Sequence, residues 1–168
     1  AMGLPGNLLI AFMSGSVIYV ASRGIYQISQ GYFAEYAFLA FLLTFARELI
    51  KDAEDIEGDK QQGCETFPIV HGTQKTNLLT NVILGTIILF LGTASYLLVV
   101  APFLNVQSPF HVTALLFPIY LSAVLIPVLL RAMYMTSKAH QKRDYKKISK
   151  WLKFTMLLGL MSVLLSHP

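Results

Sequence analysis

Five long apolar runs constrain the fold of this chain more than any other feature of its sequence. They cover residues 4–21, 32–45, 78–103, 112–134 and 151–165. About 20 residues of α-helix cross the hydrocarbon core of a bilayer, where backbone polar groups have to bond within the helix. We therefore predict an all-α fold, a polytopic membrane helical bundle with about five transmembrane helices, in which residues 1–168 form a single membrane domain.

The low content of charged residues supports the prediction of a membrane protein. Only 13% of the 168 residues are charged, whereas soluble domains carry about 25%. The net charge of +4 does not predict binding to nucleic acid, because no basic patch with interleaved aromatic residues lies outside the loops. The single cysteine, Cys64, excludes an internal disulfide framework.

Positive charges are distributed unevenly between the predicted loops. The loops after the second and fourth apolar runs are rich in lysine, whereas the other two loops contain only Arg23 as a basic residue. Lysine and arginine concentrate in the cytoplasmic loops of membrane proteins. We therefore predict a multi-pass protein of the cell membrane, with a basic segment, residues 138–153, that orients the chain and lies on the cytoplasmic side together with residues 47–75.

An acidic segment, residues 47–59, directly follows the second apolar run. Each residue of a continuous α-helix advances by about 100°, so Glu48, Asp52, Asp55 and Asp59 fall within about 60° of one another. Like charges on one face destabilise a helix, and Mg²⁺, which binds oxygen ligands and shares them with substrate phosphates, would relieve the repulsion. Spacing alone is also compatible with a solvated loop whose acidic face arose by chance.

The acidic segment also carries a family resemblance. The pattern Asp52-x-x-Asp55-x-x-x-Asp59 is followed by Gly63, by Thr66-Phe-Pro-Ile69 and by Gly72, and Gly3-Leu-Pro-Gly-Asn7 opens the first apolar run. Together these residues resemble the second aspartate-rich motif and its surroundings in the UbiA superfamily of intramembrane prenyltransferases. The resemblance extends over essentially the whole chain and is strongest to the archaeal branch that makes digeranylgeranylglyceryl phosphate.

The resemblance implies that half of such an enzyme is absent from this sequence. Members of the superfamily have nine spans and two aspartate-rich motifs, and a Tyr-x-x-x-Lys motif precedes the Gly-Leu-x-Gly-Asn segment. The first aspartate-rich motif does not occur here, and no Tyr-x-x-x-Lys motif stands before Gly3. The chain therefore resembles the C-terminal five spans of a nine-span enzyme, and its expected partner is an N-terminal half that carries the first motif.

The resemblance also implies a chemistry for the site. The expected donor is a polyprenyl diphosphate, and the expected cofactor is Mg²⁺, bound by Asp52, Asp55 and Asp59. The residues expected to contact the diphosphate are Lys51, Lys60 and, less directly, Arg47. No residue is assigned to the catalytic step itself.

Three functions remain open at this point. The acceptor implied most directly is geranylgeranylglyceryl phosphate, as in archaeal ether-lipid synthesis. The alternatives are a prenyltransferase with an aromatic acceptor of the hydroxybenzoate or homogentisate type, and a non-enzymatic membrane scaffold or transporter fragment.

Overall fold

A computed structural model describes residues 3–24, 31–104 and 113–165, with side chains described in 3–20, 34–100 and 116–162. All regular secondary structure in these ranges is helical, so the predicted all-α fold is confirmed. Residues 25–30 and 105–112, which form most of the two loops predicted to be poor in positive charge, lie outside the described residues.

In the described part of the chain, five long helical segments coincide with the five apolar runs. The first two and the last are α1 (Gly3–Gly24), α2 (Gly31–Glu54) and α8 (Lys142–Leu165). Between them lie α3 (Ile56–Gln61), α4 (Phe67–His71) and the long α5 (Thr73–Leu104). The remaining long segment consists of α6 (Thr113–Tyr120), a π-helical turn (Leu121–Leu125) and α7 (Ile126–Ser137).

Three of these segments have the length and apolar composition of a membrane span. They are Gly3–Val20, Thr73–Val100 and Leu116–Ser137, and they support an integral membrane protein. Helices α2 and α8 are as long, but each carries charged residues at one end. That all five segments cross the bilayer therefore remains a prediction.

The boundaries of α8 correct one expectation about the basic segment. Residues 138–153 were expected to form a loop, but α8 begins at Lys142 and continues without interruption to Leu165. Lysine and arginine are good helix formers, and a charged helical stretch can extend beyond the membrane into water. An apolar run therefore marks the membrane-embedded part of a helix and not its ends.

Helix α2 lies at the centre of the bundle and contacts α1, α5 and α8. Its buried face consists of small and aliphatic residues, which pack against the buried side chains of the neighbouring helices: Ala46, Leu49, Ile50 and Ala53 on α2, Leu84 on α5, and Ile148 and Leu152 on α8. Protein interiors are packed as densely as organic crystals, so a buried face of this kind limits how far a helix can move. The last turns of α2, which contain the acidic segment, are therefore held rigidly by the core.

Candidate metal and diphosphate site

The acidic segment contains the end of α2, a break in the helix at Asp55 and the start of α3. Asp55 has φ −113° and ψ 24°, away from the ideal α-helical values of about −63° and −42°. The helical hydrogen bonds continue through the break, since Asp55 N donates to the Lys51 carbonyl at 3.1 Å and Asp59 N donates to the Asp55 carbonyl at 2.9 Å. The expectation of one uninterrupted helix through Asp59 is nevertheless wrong, because α2 ends at Glu54 and α3 begins at Ile56. Aspartate and the nearby Gly58 are both poor helix formers, so the local sequence permits a break here without fixing its position.

Glu48 lies at the membrane side of the acidic segment and is only 4% exposed. Arg47 Nη1 donates to Glu48 Oε1 at 2.5 Å, and Lys51 Nζ lies 3.6 Å from Glu48 Oε2. Opposite charges and hydrogen bonds compensate the hydration that a buried carboxylate loses. Two of the three cations predicted to contact diphosphate are thus held at Glu48, although Lys51, with 59% of its side chain exposed, also reaches solvent.

Asp52 lies one turn after Glu48, beyond the apolar run 32–45, and is half-buried. Asn7 Nδ2 donates a hydrogen bond to Asp52 Oδ2 at 2.6 Å. Burial is the main cause that raises the pKa of Asp52 above its ordinary value. The hydrogen bond from Asn7 acts in the opposite direction, and the carboxylates of Asp59 and Glu48 raise the pKa further. Asp52 is therefore a crowded carboxylate with like charges close enough to act on it.

Asp55 contacts a different part of the protein. Its side chain is 62% exposed, and Asp55 Oδ1 lies 3.6 Å from Lys142 Nζ in the first turn of α8. Lys142 belongs to the basic segment, to which the sequence analysis assigned a role in orientation only. This ion pair brings the acidic and basic segments together at one end of the helix bundle.

The predicted ligands do not all converge on one point. Within residues 3–24, 31–104 and 113–165, no three side chains from His, Cys, Asp and Glu lie close enough together to hold a metal ion. Asp59 is half-buried on α3, and Lys60 beside it is exposed. The charges of Glu48 and Asp59 both act on Asp52, whereas Asp55 is paired with Lys142.

A cavity of about 180 Å³ separates the acidic segment from the start of α8. Glu54 and Glu57 line one side, and His140 and Lys142 line the other. Because charges of both signs surround this space, it suits a polar group better than an isoprenoid chain.

Sequence reasoning missed two residues at this site. Asn7 was noted only as part of the Gly3-Leu-Pro-Gly-Asn7 segment, and Lys142 only as one of several basic residues. The available signal for Asn7 was an amide within an apolar run, because such a group has to find a hydrogen-bond partner when it is buried. No signal in the sequence distinguished Lys142 from the lysines around it.

Comparison with known families decides the classification of the chain. Residues 1–161 match the model of the UbiA prenyltransferase family. The chain belongs to the UbiA prenyltransferase family. This assignment confirms the resemblance drawn from the acidic segment. It also agrees with the helical fold of the described residues and with its three apolar helices of membrane-spanning length.

Curated relatives of this UbiA-family chain include archaeal proteins named digeranylgeranylglyceryl phosphate synthase. The one from Methanosphaera stadtmanae is 32% identical over 157 residues, which cover 94% of the chain and 52% of the relative. Those from Methanothermobacter thermautotrophicus and Thermococcus sibiricus are 31% and 32% identical, and each match covers 95% of the chain and 51% of the relative. The chain thus spans about half the length of the curated relatives it matches. No solved structure matched the chain significantly.

Proposed function

We propose that this chain is part of a membrane prenyltransferase that moves a polyprenyl group from its diphosphate to geranylgeranylglyceryl phosphate. The names of the three relatives above support this acceptor, and each of them matches at least 94% of the chain. The observation that carries the proposal is the placement of Asp52, half-buried at the polar end of α2 beside the charges of Asp59 and Glu48. Such a group of carboxylates favours binding of a divalent cation, which in turn binds a diphosphate.

The chain supplies one side of the site in this proposal. We infer that it provides the C-terminal five spans of a nine-span enzyme and that an N-terminal half brings the first aspartate-rich motif. The match to about half of each relative supports this division. A shared site also agrees with the number of ligands, because Mg²⁺ in phosphate-transfer sites is commonly bound by one or two carboxylates together with substrate phosphates and water.

The carboxylates of the acidic segment have the chemistry that Mg²⁺ requires, since a hard cation prefers oxygen ligands. We assign Asp52 and Asp59 to the cation because both are half-buried carboxylates of the acidic segment and neither takes part in a described ion pair. Asp55 joins them as a ligand when its carboxylate leaves Lys142. Bound Mg²⁺ would offset the negative charge that grows on the diphosphate as the allylic C–O bond breaks.

Basic side chains next to these carboxylates suit the diphosphate itself. Lys51 and Arg47 lie beside Glu48, and Lys60 follows Asp59 on α3. The exposed side chains of Lys51 and Lys60 can reach phosphate oxygens, while Arg47 is held more firmly at the buried Glu48. Positive charge placed before the reaction stabilises the leaving group in the transition state.

The apolar surface of the bundle suits the isoprenoid chains of donor and product. Helix α1 exposes several large apolar side chains along its length, including Leu9, Phe12, Met13, Val17 and Val20. In a bilayer such side chains contact lipid tails or an isoprenoid chain with no loss of hydration. The polar head groups of the substrates then lie at the acidic segment, at the end of the same bundle.

We further infer that the acidic segment faces the cytoplasm. The ion pair between Asp55 and Lys142 supports a common side for the acidic and basic segments. The basic segment is rich in lysine, and such segments are retained on the cytoplasmic side. Charge distribution and packing thus favour the same orientation.

Prenyl transfer in membranes that contain the complete protein tests the proposal. Labelled geranylgeranyl diphosphate is offered together with geranylgeranylglyceryl phosphate, hydroxybenzoate or homogentisate, with and without Mg²⁺. We expect Mg²⁺-dependent transfer to the glyceryl phosphate. Transfer to an aromatic acceptor alone would indicate the second type of prenyltransferase, and no transfer to any acceptor would indicate a scaffold or transporter.

A pair of variants on α3 tests the assignment of the carboxylates. Asp59→Asn should abolish transfer, because a neutral amide is a weaker ligand for a hard cation than a carboxylate. Glu57→Gln removes the same charge from an exposed residue of the same short helix and should keep most of the activity. Equal losses in both variants, at matched amounts of protein in the membrane, would contradict the assignment.

A further inference from the structure

The Gly3-Leu-Pro-Gly-Asn7 segment has no role in the function proposed so far. Asn7 lies in the second turn of α1 and is only 6% exposed. Its Nδ2 donates to Asp52 Oδ2 at 2.6 Å, so an amide on the first helix contacts a carboxylate that we assign to the metal. A hydrogen bond to a charged group is stronger than one between neutral groups.

Two close backbone approaches hold α1 against its neighbours on either side of Asn7. A Cβ atom on Gly3 would collide with the carbonyl oxygen of Glu65, and a Cβ atom on Gly15 would lie 2.8 Å from the carbonyl oxygen of Ala37 on α2. Real Cβ atoms do not approach backbone so closely, so both contacts require glycine. The position of Asn7 over Asp52 is therefore fixed by backbone packing before and after it.

The partner of Asp52 differs in charge from the partners of the neighbouring carboxylates. Arg47 and Lys51 pair with Glu48, and Lys142 pairs with Asp55. Asp52 takes part in none of the described ion pairs. Its hydrogen-bond donor is the neutral amide of Asn7. A cationic partner would compete with a metal ion, whereas an amide orients the carboxylate and leaves its charge in place.

We propose that Asn7 is a positioning residue that holds one oxygen of Asp52 and turns the other toward a divalent cation. This inference rests on the proposed function, since it concerns the same site. Residues that hydrogen-bond to metal ligands fix the orientation of those ligands, and their loss typically costs about 10-fold to 100-fold in metal affinity or activity. Asn7 therefore belongs to the metal site although it lies far from the acidic segment in sequence.

Binding of Mn²⁺ to the complete protein in detergent, measured by electron paramagnetic resonance, tests this role without prenyl transfer. Asn7→Leu keeps the approximate size of the side chain and removes the donor, so we expect a loss of Mn²⁺ affinity of about 10-fold or more. Asn81→Leu is the matched control, because Asn81 Nδ2 donates at 2.9 Å to Ser137 Oγ between α5 and α7, away from the carboxylates. This control should bind Mn²⁺ as the wild type does.

A double-mutant cycle with Asp52→Asn separates positioning from general damage to the structure. In the Asp52→Asn background Asn7→Leu should cause no further loss of Mn²⁺ affinity, because the carboxylate that it orients is gone. The same additional loss in both backgrounds would overturn the inference, as would an Asn7→Leu protein that is less thermostable but binds Mn²⁺ normally. If Asn7→Leu does not accumulate in the membrane, Asn7→Gln keeps an amide N–H donor without adding a strong metal ligand, and its Mn²⁺ affinity must exceed that of Asn7→Ala, which has no donor.

The proposed function and the role of Asn7 are overturned by different results. A wild-type protein that transfers no prenyl group overturns the proposed function. A wild-type protein that transfers prenyl groups and binds Mn²⁺, with an Asn7→Leu variant of equal Mn²⁺ affinity, overturns the role of Asn7 alone.

Discussion

Lys142 Nζ lies 3.6 Å from Asp55 Oδ1, and this ion pair joins the start of α8 to the break between α2 and α3. It is a contact between the two most highly charged parts of the chain. More than half of each side chain is exposed, at 59% for Lys142 and 62% for Asp55. Exposed pairs of this kind stabilise proteins by only about 0–1 kcal/mol. The contact therefore shows that the start of α8 lies beside the end of α2, but it contributes little to the stability of the fold.

The lysines of the basic segment should contribute little to prenyl transfer. Lys142, Lys146 and Lys147 are all exposed, and lysines near a membrane attract anionic lipid at about 1 kcal/mol each. We expect Lys→Gln changes at these three positions to leave activity within a few-fold of the wild type. Lys51→Gln, beside the buried Glu48, should reduce activity far more. Assays of the four variants at matched expression decide the point, and a large loss at Lys142, Lys146 or Lys147 would place the basic segment in the active site.

Selective labelling of introduced cysteines tests the proposed orientation. With Cys64 replaced by serine, a cysteine at position 142 should react only with a reagent applied from the cytoplasmic side. A cysteine at position 107, which lies outside the described residues, should react only from the other side. Labelling of both positions from one side would contradict the five-span arrangement.

The pH dependence of stability should reveal the crowding of Asp52. Because the pKa of Asp52 is raised in the folded protein, mainly by burial, the folded state binds more protons than the unfolded state above the ordinary pKa of about 3.9. The stability associated with the protonated form is therefore present at low pH and is lost as the pH rises through the higher pKa of the folded state.

The variant Asp52→Asn should remove this dependence. Without divalent cations its Tm should exceed that of the wild type at neutral pH, and the difference should shrink as the pH is lowered toward 4. Thermal unfolding in detergent with EDTA measures both proteins. A wild type that gains stability relative to the variant as the pH rises would contradict the sign of the pKa change.

The close approach of α1 to α2 should make Gly15 sensitive to a single methyl group. Gly15→Ala would place Cβ 2.8 Å from the Ala37 carbonyl oxygen and 3.3 Å from Phe41 Cβ. Overpacking of this kind costs about 1–3 kcal/mol, so we expect a lower Tm and weaker Mn²⁺ binding, because α1 carries Asn7. Gly92→Ala is the control, since a Cβ there meets nothing within 4 Å, and it should leave Tm unchanged or raise it. Equal effects of the two changes would show that α1 does not pack on α2 in this way.

The class of fold and the family follow from information that is local in the sequence. Apolar runs of sufficient length predict membrane helices, because each side chain contributes its own free energy of transfer into the bilayer, nearly independently of its neighbours. Asp52, Asp55 and Asp59 lie close together along the chain, so their spacing suggested a candidate metal site, and the longer motif around them indicated the family. Neither inference needed knowledge of which helices touch.

The break at Asp55 and the start of α8 at Lys142 depend on the structure. Helix propensities of single residues are small compared with the energy of packing, and charged residues at a helix end are compatible with either a helix or a loop. The sequence therefore located the acidic and basic segments but not the helix boundaries within them.

The partners of the carboxylates were decided by tertiary structure alone. Asp52 meets Asn7, 45 residues earlier in the chain, and Asp55 meets Lys142 on the last helix. Both contacts arise because α1 and α8 pack around α2, and the packing depends on close approaches such as that of Gly15 to Ala37. Spacing along the chain carries no information about such pairs, since the distance between two helices is fixed by the shapes of their facing side chains.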